Sequence, residues 1–163
     1  LTSDDLLQEF GAPNIRIFSV DGDHSRNGVR HDLNLAAATL SKGGVILADD
    51  LFNPICPALT EGIIDFFNED NDGRLEPVAI ICANGPLKTG APKLIISSAD
   101  YATRYKAYLQ LLNRTNYFHE DEFLGFDHVL IFDFEDSPQK HPLDDHVRRA
   151  VDDFLREQSA PNT

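Results

Sequence analysis

Methionine is missing from all 163 residues, and the chain opens on Leu1. Translation starts with methionine, so the chain reads as trimmed or as a fragment, and the expectation is that an N-terminal portion is absent. Cysteine is nearly missing as well. Cys56 and Cys82 are the only two, too few for a disulfide framework and not arranged as a Cys-x-x-Cys pair. A reducing, cytoplasmic compartment is therefore expected. No apolar run reaches transmembrane length, and no secretory signal pattern is visible. Positive charge is scarce: 14 Lys and Arg stand against 27 Asp and Glu, a formal net charge of −13. That balance argues against a nucleic-acid backbone or an anionic membrane as the main partner. There is also no internal repeat, low-complexity tract or inter-domain linker.

What remains is the composition of one globular domain spanning residues 1–163, with 42% hydrophobic and 25% charged residues. That length is enough to bury a core. The pattern alternates short β-branched runs with amphipathic stretches, which points to an α/β fold. Residues 15–20 and 44–48 read as strands. Between them, Val29, Leu33, Ala36, Ala37 and Leu40 recur at helical spacing. Lys42-Gly43-Gly44 reads as the turn into the second strand. Pro57 suits the first turn of a helix whose apolar stripe is Leu59, Ile63, Ile64, Phe66 and Phe67. Strands follow at 78–82 and 94–97. The connection between those two has no room for a crossover helix, so they are expected to be antiparallel. A helix over 99–112 and a strand over 129–132 come next. Two further helices are expected, one capped by Ser3 and ended by Gly11 and one starting at Pro142, followed by a frayed tail at 159–163.

The first two strands each stop on carboxylates: Asp21 follows Val20, and Asp49-Asp50 follows Ala48. Asp21 and Asp49 lie 28 positions apart, room for one crossover helix in a right-handed βαβ unit. Parallel strands put their C-terminal ends on one edge, where ligands bind. Three carboxylates gathered there repel one another unless a cation sits between them, and Mg²⁺ is a usual partner. Single strand-end aspartates also cap turns and helices. Asp70-Asn71-Asp72-Gly73 resembles part of an EF-hand loop, but with Gly73 at position six the bidentate glutamate's place falls on Ala79. It reads as a turn. His31, His119, His128, His141 and His146 show no metal-binding spacing, and the acids from Asp133 to Asp136 read as solvated surface.

The runs Val20-Asp21-Gly22-Asp23-His24-Ser25 and Leu40-Ser41-Lys42-Gly43-Gly44-Val45-Ile46-Leu47-Ala48-Asp49-Asp50 resemble the C-terminal half of a class I S-adenosylmethionine-dependent methyltransferase. The resemblance spans roughly residues 14–110 and is closest to the metal-dependent small-molecule O-methyltransferases of the macrocin and catechol groups. It implies a Rossmann-like three-layer α/β/α fold whose mixed, mostly parallel sheet ends in an antiparallel pair. Residues 15–20 would be the family's fourth strand and 44–48 its fifth, with the glycine-rich, cofactor-gripping half missing. No Gly-x-Gly-x-Gly run occurs anywhere in the chain.

The resemblance also implies roles. Asp21, Asp49 and Asp50 would hold Mg²⁺ or another divalent cation, and Asp21, at the fourth-strand tip, would also meet S-adenosylmethionine. Asp23 or His24 would take the acceptor's hydroxyl proton. Because the loop 51–57 directly follows the acids, Phe52 and Asn53 are the expected contacts to a small hydroxylated acceptor, the other reading being a rigid proline-rich connector. Asp23 fills the position that serves as base in macrocin-type enzymes, whereas a histidine has the better-suited unperturbed pKa. Two other readings stay open. One is a non-catalytic Rossmann-like remnant that pairs with another chain, as a homo-oligomer or with a missing N-terminal segment. The other is a divalent-metal phosphohydrolase, although the Ser/Thr and lysine pattern of an aspartyl-phosphate enzyme is lacking.

Overall fold

The computed structural model describes residues 14–84, 91–112 and 118–135. The helices expected near Ser3 and Pro142, the C-terminal tail, and residues 85–90 of the fourth connection lie outside that range, as do His141 and His146. β1 is Ile15–Val20, and it leads into α1, Arg26–Thr39. Ser25 caps this helix by accepting the Gly28 amide on its hydroxyl at 3.0 Å, satisfying one of the helix's orphan donors. Val29, Leu33 and Ala36 are buried on one face of α1, the spacing of its apolar residues having dictated which face.

β2, Leu40–Ala48, begins earlier than the sequence pattern suggested. Ile15 pairs with Leu40 but Ile17 with Val45, so Lys42-Gly43-Gly44 is an irregularity inside the strand rather than a turn before it. α2 is Pro57–Asp65 and starts on its proline as expected. Its last turn widens into a π-helical one, Phe66–Asp70, where the Asn71 amide donates to the Phe66 carbonyl five residues back at 2.9 Å. The 70–73 segment is then a turn, with Asp72 and Gly73 at positive φ. Asn71 closes it: its buried side chain bonds both the amide and the carbonyl of Leu75 at 2.9 Å.

β3 (Leu75–Asn84), β4 (Lys93–Ser98), α3 (Ala99–Leu112), β5 (Phe118–Phe123) and β6 (Phe126–Glu135) complete the described chain. The six strands form one sheet in the order β1-β2-β4-β3-β6-β5. β1 and β2 are adjacent and parallel, as the acidic-tip argument requires. β3 and β4 are antiparallel, as the short connection requires. Four strands share one direction while β4 and β5 oppose it. The fold is thus Rossmann-like, with a mixed sheet and helices on both faces. α1 and α2 pack Val29, Leu33, Leu59, Ile63 and Phe66 on Ile46, Ala48, Leu94 and Ile96. On the opposite face, Ala102, Tyr105 and Leu109 of α3 cover Val78, Leu130 and Phe132. Among the described residues, no helix is long and apolar enough to cross a membrane.

Candidate functional site

Both acidic tips arrive at the same edge because β1 and β2 end in step: Val20 pairs with Ala48, and the Asp49 amide donates to the Val20 carbonyl at 3.0 Å. His24 lies between them. Its Nε2 is 3.6 Å from Asp21 Oδ1 and 3.3 Å from Asp50 Oδ2. Asp21, His24 and Asp50 therefore meet at one point of the edge, with the His24 and Asp21 side chains well exposed to solvent.

Asp49 turns elsewhere. One carboxylate oxygen accepts the Asp50 amide at 2.8 Å and the other is paired with the Lys93 ammonium. Partial burial opposes the charge on Asp49, but the Lys93 hydrogen bond, the Asp50 amide and the nearby cationic groups outweigh it and hold the carboxyl below the ordinary range. Lys93 was singled out by no local motif. It reaches Asp49 because β4 inserts beside β2 with Ala48 opposite Leu94, which sets the next pair, Asp49 and Lys93, across from each other.

Asp23 is committed to its own turn. Its two oxygens accept the Ser25 amide and hydroxyl, each at 2.9 Å. The backbone hydrogen bond from Ser25, then the side-chain one, pull its carboxyl below the usual carboxylate value. The same carboxyl group lies against Gly28, where an added Cβ would stand 2.5 Å from it.

The loop after β2 is tightly bent. Asp50 and Phe52 both sit in the left-handed region, at φ 61° and 59°. Aspartate tolerates that region better than most residues, and phenylalanine does so only under local constraint. The constraint is visible: the Phe52 amide donates to Thr60 Oγ1 at 2.9 Å, and buried Leu51 donates to the Pro92 carbonyl at 2.9 Å. Phe52 meets Phe123 edge-on with centroids 5.8 Å apart, yet stays 54% exposed. Ile55, beside it, is 91% exposed and was not anticipated as part of the site. Asn53 works inside the loop. Its amide nitrogen donates to Asp50 Oδ1 at 2.9 Å and its amide oxygen accepts the Ile55 amide at 2.9 Å.

Cys56, also unanticipated, places its thiol with His24 and Asp50. One ligand-type atom from each of the three lies within 4.8 Å of the others. Burial first, and then the negative charge of Asp50, push the Cys56 thiol above its ordinary pKa. Of the histidines expected at the surface, His31, His119 and His128 are exposed, and His128 Nδ1 lies 2.6 Å from Glu120.

Comparison with known proteins bears on this same stretch. A family model described as "Methyltransferase domain" matches residues 1–51, which takes in β1, α1, β2 and both acidic tips. No curated protein and no solved structure matches the chain. The family-model match supports a methyltransferase domain whose matched segment ends at the carboxylates of the β2 tip.

Proposed function

We propose that this chain carries the acceptor-binding, proton-handling part of an S-adenosylmethionine-dependent O-methyltransferase acting on a small hydroxylated molecule. The observation that carries this reading is the convergence of Asp21, His24 and Asp50 at the parallel β1–β2 edge, inside the segment the methyltransferase model matches. A sulfonium cofactor supplies an electrophilic methyl group, and the protein must supply a deprotonated, oriented acceptor oxygen. His24 is the base this arrangement favours. Its ring is accessible, and its Nε2 lies on the solvent-exposed edge within 3.6 Å of Asp21 and 3.3 Å of Asp50, where an acceptor would enter. Asp23 is less suited, being less basic than an ordinary carboxylate and engaged twice by Ser25. Phe52 and Ile55 offer apolar surface at the rim for an acceptor's ring or chain, while Asn53 supports the loop from within.

The Mg²⁺ expected from the resemblance draws on Asp21, Asp49 and Asp50 together. Here Asp49 is held by Lys93, and the nitrogen of His24 and sulfur of Cys56 accompany Asp50. An ion that demands near-octahedral oxygen ligands does not fit this donor set.

The test is transfer of an isotopically labelled methyl group from S-adenosylmethionine to a panel of small hydroxylated acceptors by the full-length protein. His24→Ala should slow transfer by about 10²–10⁴-fold, the usual worth of a positioned base, with cofactor affinity unchanged. Asp23→Asn should slow it less. Equal rates in His24→Ala and wild type would remove the base assignment. The remnant reading keeps one observation in its favour: β1 is the outermost strand of the sheet among the described residues, with Ile17 68% exposed. Absence of transfer to every acceptor would favour it.

A further inference from the structure

Cys56 occupies the N-cap position of α2, where serine, threonine, aspartate or asparagine normally supplies a hydrogen bond to the first turn. Its side chain makes no such bond. The thiol belongs instead to a group with His24 and Asp50, whose ligand-type atoms all lie within 4.8 Å of one another. Nitrogen, sulfur and carboxylate oxygen converging on one point form a mixed donor set, unlike a cluster of surface acids. It does not resemble the oxygen cage that Mg²⁺ or Ca²⁺ requires.

We infer that His24, Asp50 and Cys56 form a three-ligand site for a borderline divalent cation of the Zn²⁺ or Co²⁺ type, with one coordination position left open. Zinc binds nitrogen and oxygen near 2.0–2.2 Å and sulfur near 2.3 Å, so ligand atoms around a tetrahedral ion stand about 3.3–3.8 Å apart. His24 Nε2 and Asp50 Oδ2 already stand 3.3 Å apart. The thiol lies within 4.8 Å of both, so it needs to close by at most roughly 1–1.5 Å, within the reach of one side-chain rotation. A supporting contact is in place too: Asn53 donates to Asp50 Oδ1, leaving Oδ2 turned towards His24. Asn53 also accepts the Cys56 amide on its carbonyl at 3.2 Å, so one residue positions two of the three ligands. On binding, the S–H bond breaks, a sulfur–metal bond forms and the proton leaves to solvent, with no change of oxidation state. Asp21, 3.6 Å from His24, borders the open side.

The inference stands on this geometry and not on the reaction proposed above, although the two meet at His24 Nε2. A bound cation takes the lone pair that a base needs, so metal loading and proton transfer exclude each other there.

Titration of the protein with Co²⁺, followed by absorption spectroscopy, tests the site without any assay of activity. The expected result is one equivalent bound, with intense tetrahedral d–d bands and a thiolate-to-cobalt charge-transfer band. Zn²⁺ should displace the cobalt and Mg²⁺ should not. The charge-transfer band should vanish in Cys56→Ala and persist in Cys82→Ala, the chain's other thiol. Asn53→Ala should weaken binding by about 10–100-fold, the usual effect of removing a group that orients a ligand. A weak octahedral spectrum, a charge-transfer band that survives in Cys56→Ala, or displacement by Mg²⁺ would overturn the inference. Failed methyl transfer by the metal-free protein, with an intact cobalt signature on titration, would instead count against the proposed reaction alone.

Discussion

Gly62 lets α1 and α2 approach closely. A Cβ built there would lie 2.3 Å from the Arg26 carbonyl oxygen and 2.4 Å from Val29 Cγ1. The first neighbour is backbone and cannot swing away, so an added methyl must push the two helices apart. Helix propensity favours alanine over glycine by up to about 1 kcal/mol at such a position. Overpacking of a tight core contact costs about 1–3 kcal/mol or more. Contact wins, and Gly62→Ala should lower stability by about 1–2 kcal/mol despite the gain in propensity, as measured by urea denaturation at constant m. An unchanged or raised midpoint would show that the helices move apart freely. The site's own residues divide at the same scale. Asp21 and Asp50 could be singled out from the sequence because strand tips in a parallel pair share an edge, and His24 as a candidate base three residues past the first tip. Cys56 and Lys93 could not. A lone cysteine before a proline looks like loop filler, and the partnership of Lys93 with Asp49 depends on which strand lies beside β2.

The two helices on the first face are joined by ion pairs at the π-helical turn. Arg30 contacts both oxygens of Asp70 at 2.6 and 2.7 Å, and Asn34 adds a bond at 2.8 Å. One turn earlier Arg26 does the same to Asp65. The hydrogen bonds from Arg30 and then Asn34 hold the Asp70 carboxyl down at about 2, against an ordinary 3.8. A depressed carboxylate stabilises the fold above its unfolded value, and that contribution is lost as pH falls through the folded one. The stability gap between wild type and Asp70→Asn should therefore be full at pH 6 and shrink between about pH 3.8 and 2. Thermal melts across that range check it, and a gap independent of pH would mean that the carboxylate's charge is irrelevant. Most elements were legible because their apolar periodicity is strong; β5 was not. Its sequence Phe-His-Glu-Asp-Glu-Phe is half acidic, and its hairpin turns on Leu124-Gly125, both at positive φ, without the Asn-Gly signal that marks such turns. The insertion of β4 between β2 and β3 was equally hidden, since a short connection gives the relative direction of β3 and β4 but not the side on which β4 lies.

At the scale of the whole molecule, the sheet formed by the described residues has two unlike outer edges. β5 ends it on one side with acidic residues, a common protection against further pairing. β1 ends it on the other with Ile17 68% exposed. Beside β1, on the face opposite α1, a groove of ≈ 340 Å³ is lined by Ile17, Val45, Leu47 and Tyr105. The resemblance to class I methyltransferases implies three holds on the cofactor: a glycine-rich turn, a ribose-binding acid and the tip of the fourth strand. Asp21 stands where the last would fall, and no Gly-x-Gly-x-Gly run exists in the 163 residues to supply the first. An adenosyl ligand held mainly by one strand tip would be without the backbone amides that a glycine-rich turn presents to its amino-acid moiety. The remaining contacts must still offset the loss of translational and rotational freedom on association. Residues 1–163 should accordingly bind S-adenosylmethionine more weakly than a millimolar dissociation constant, about −4 kcal/mol, where a complete site of this class is expected near micromolar, about −8 kcal/mol. Isothermal titration of the 163-residue chain measures this directly. Micromolar binding would show that the edge formed by Asp21, His24 and Asp50 grips the cofactor by contacts its sequence does not advertise, and would locate the whole reaction, not half of it, within this sheet.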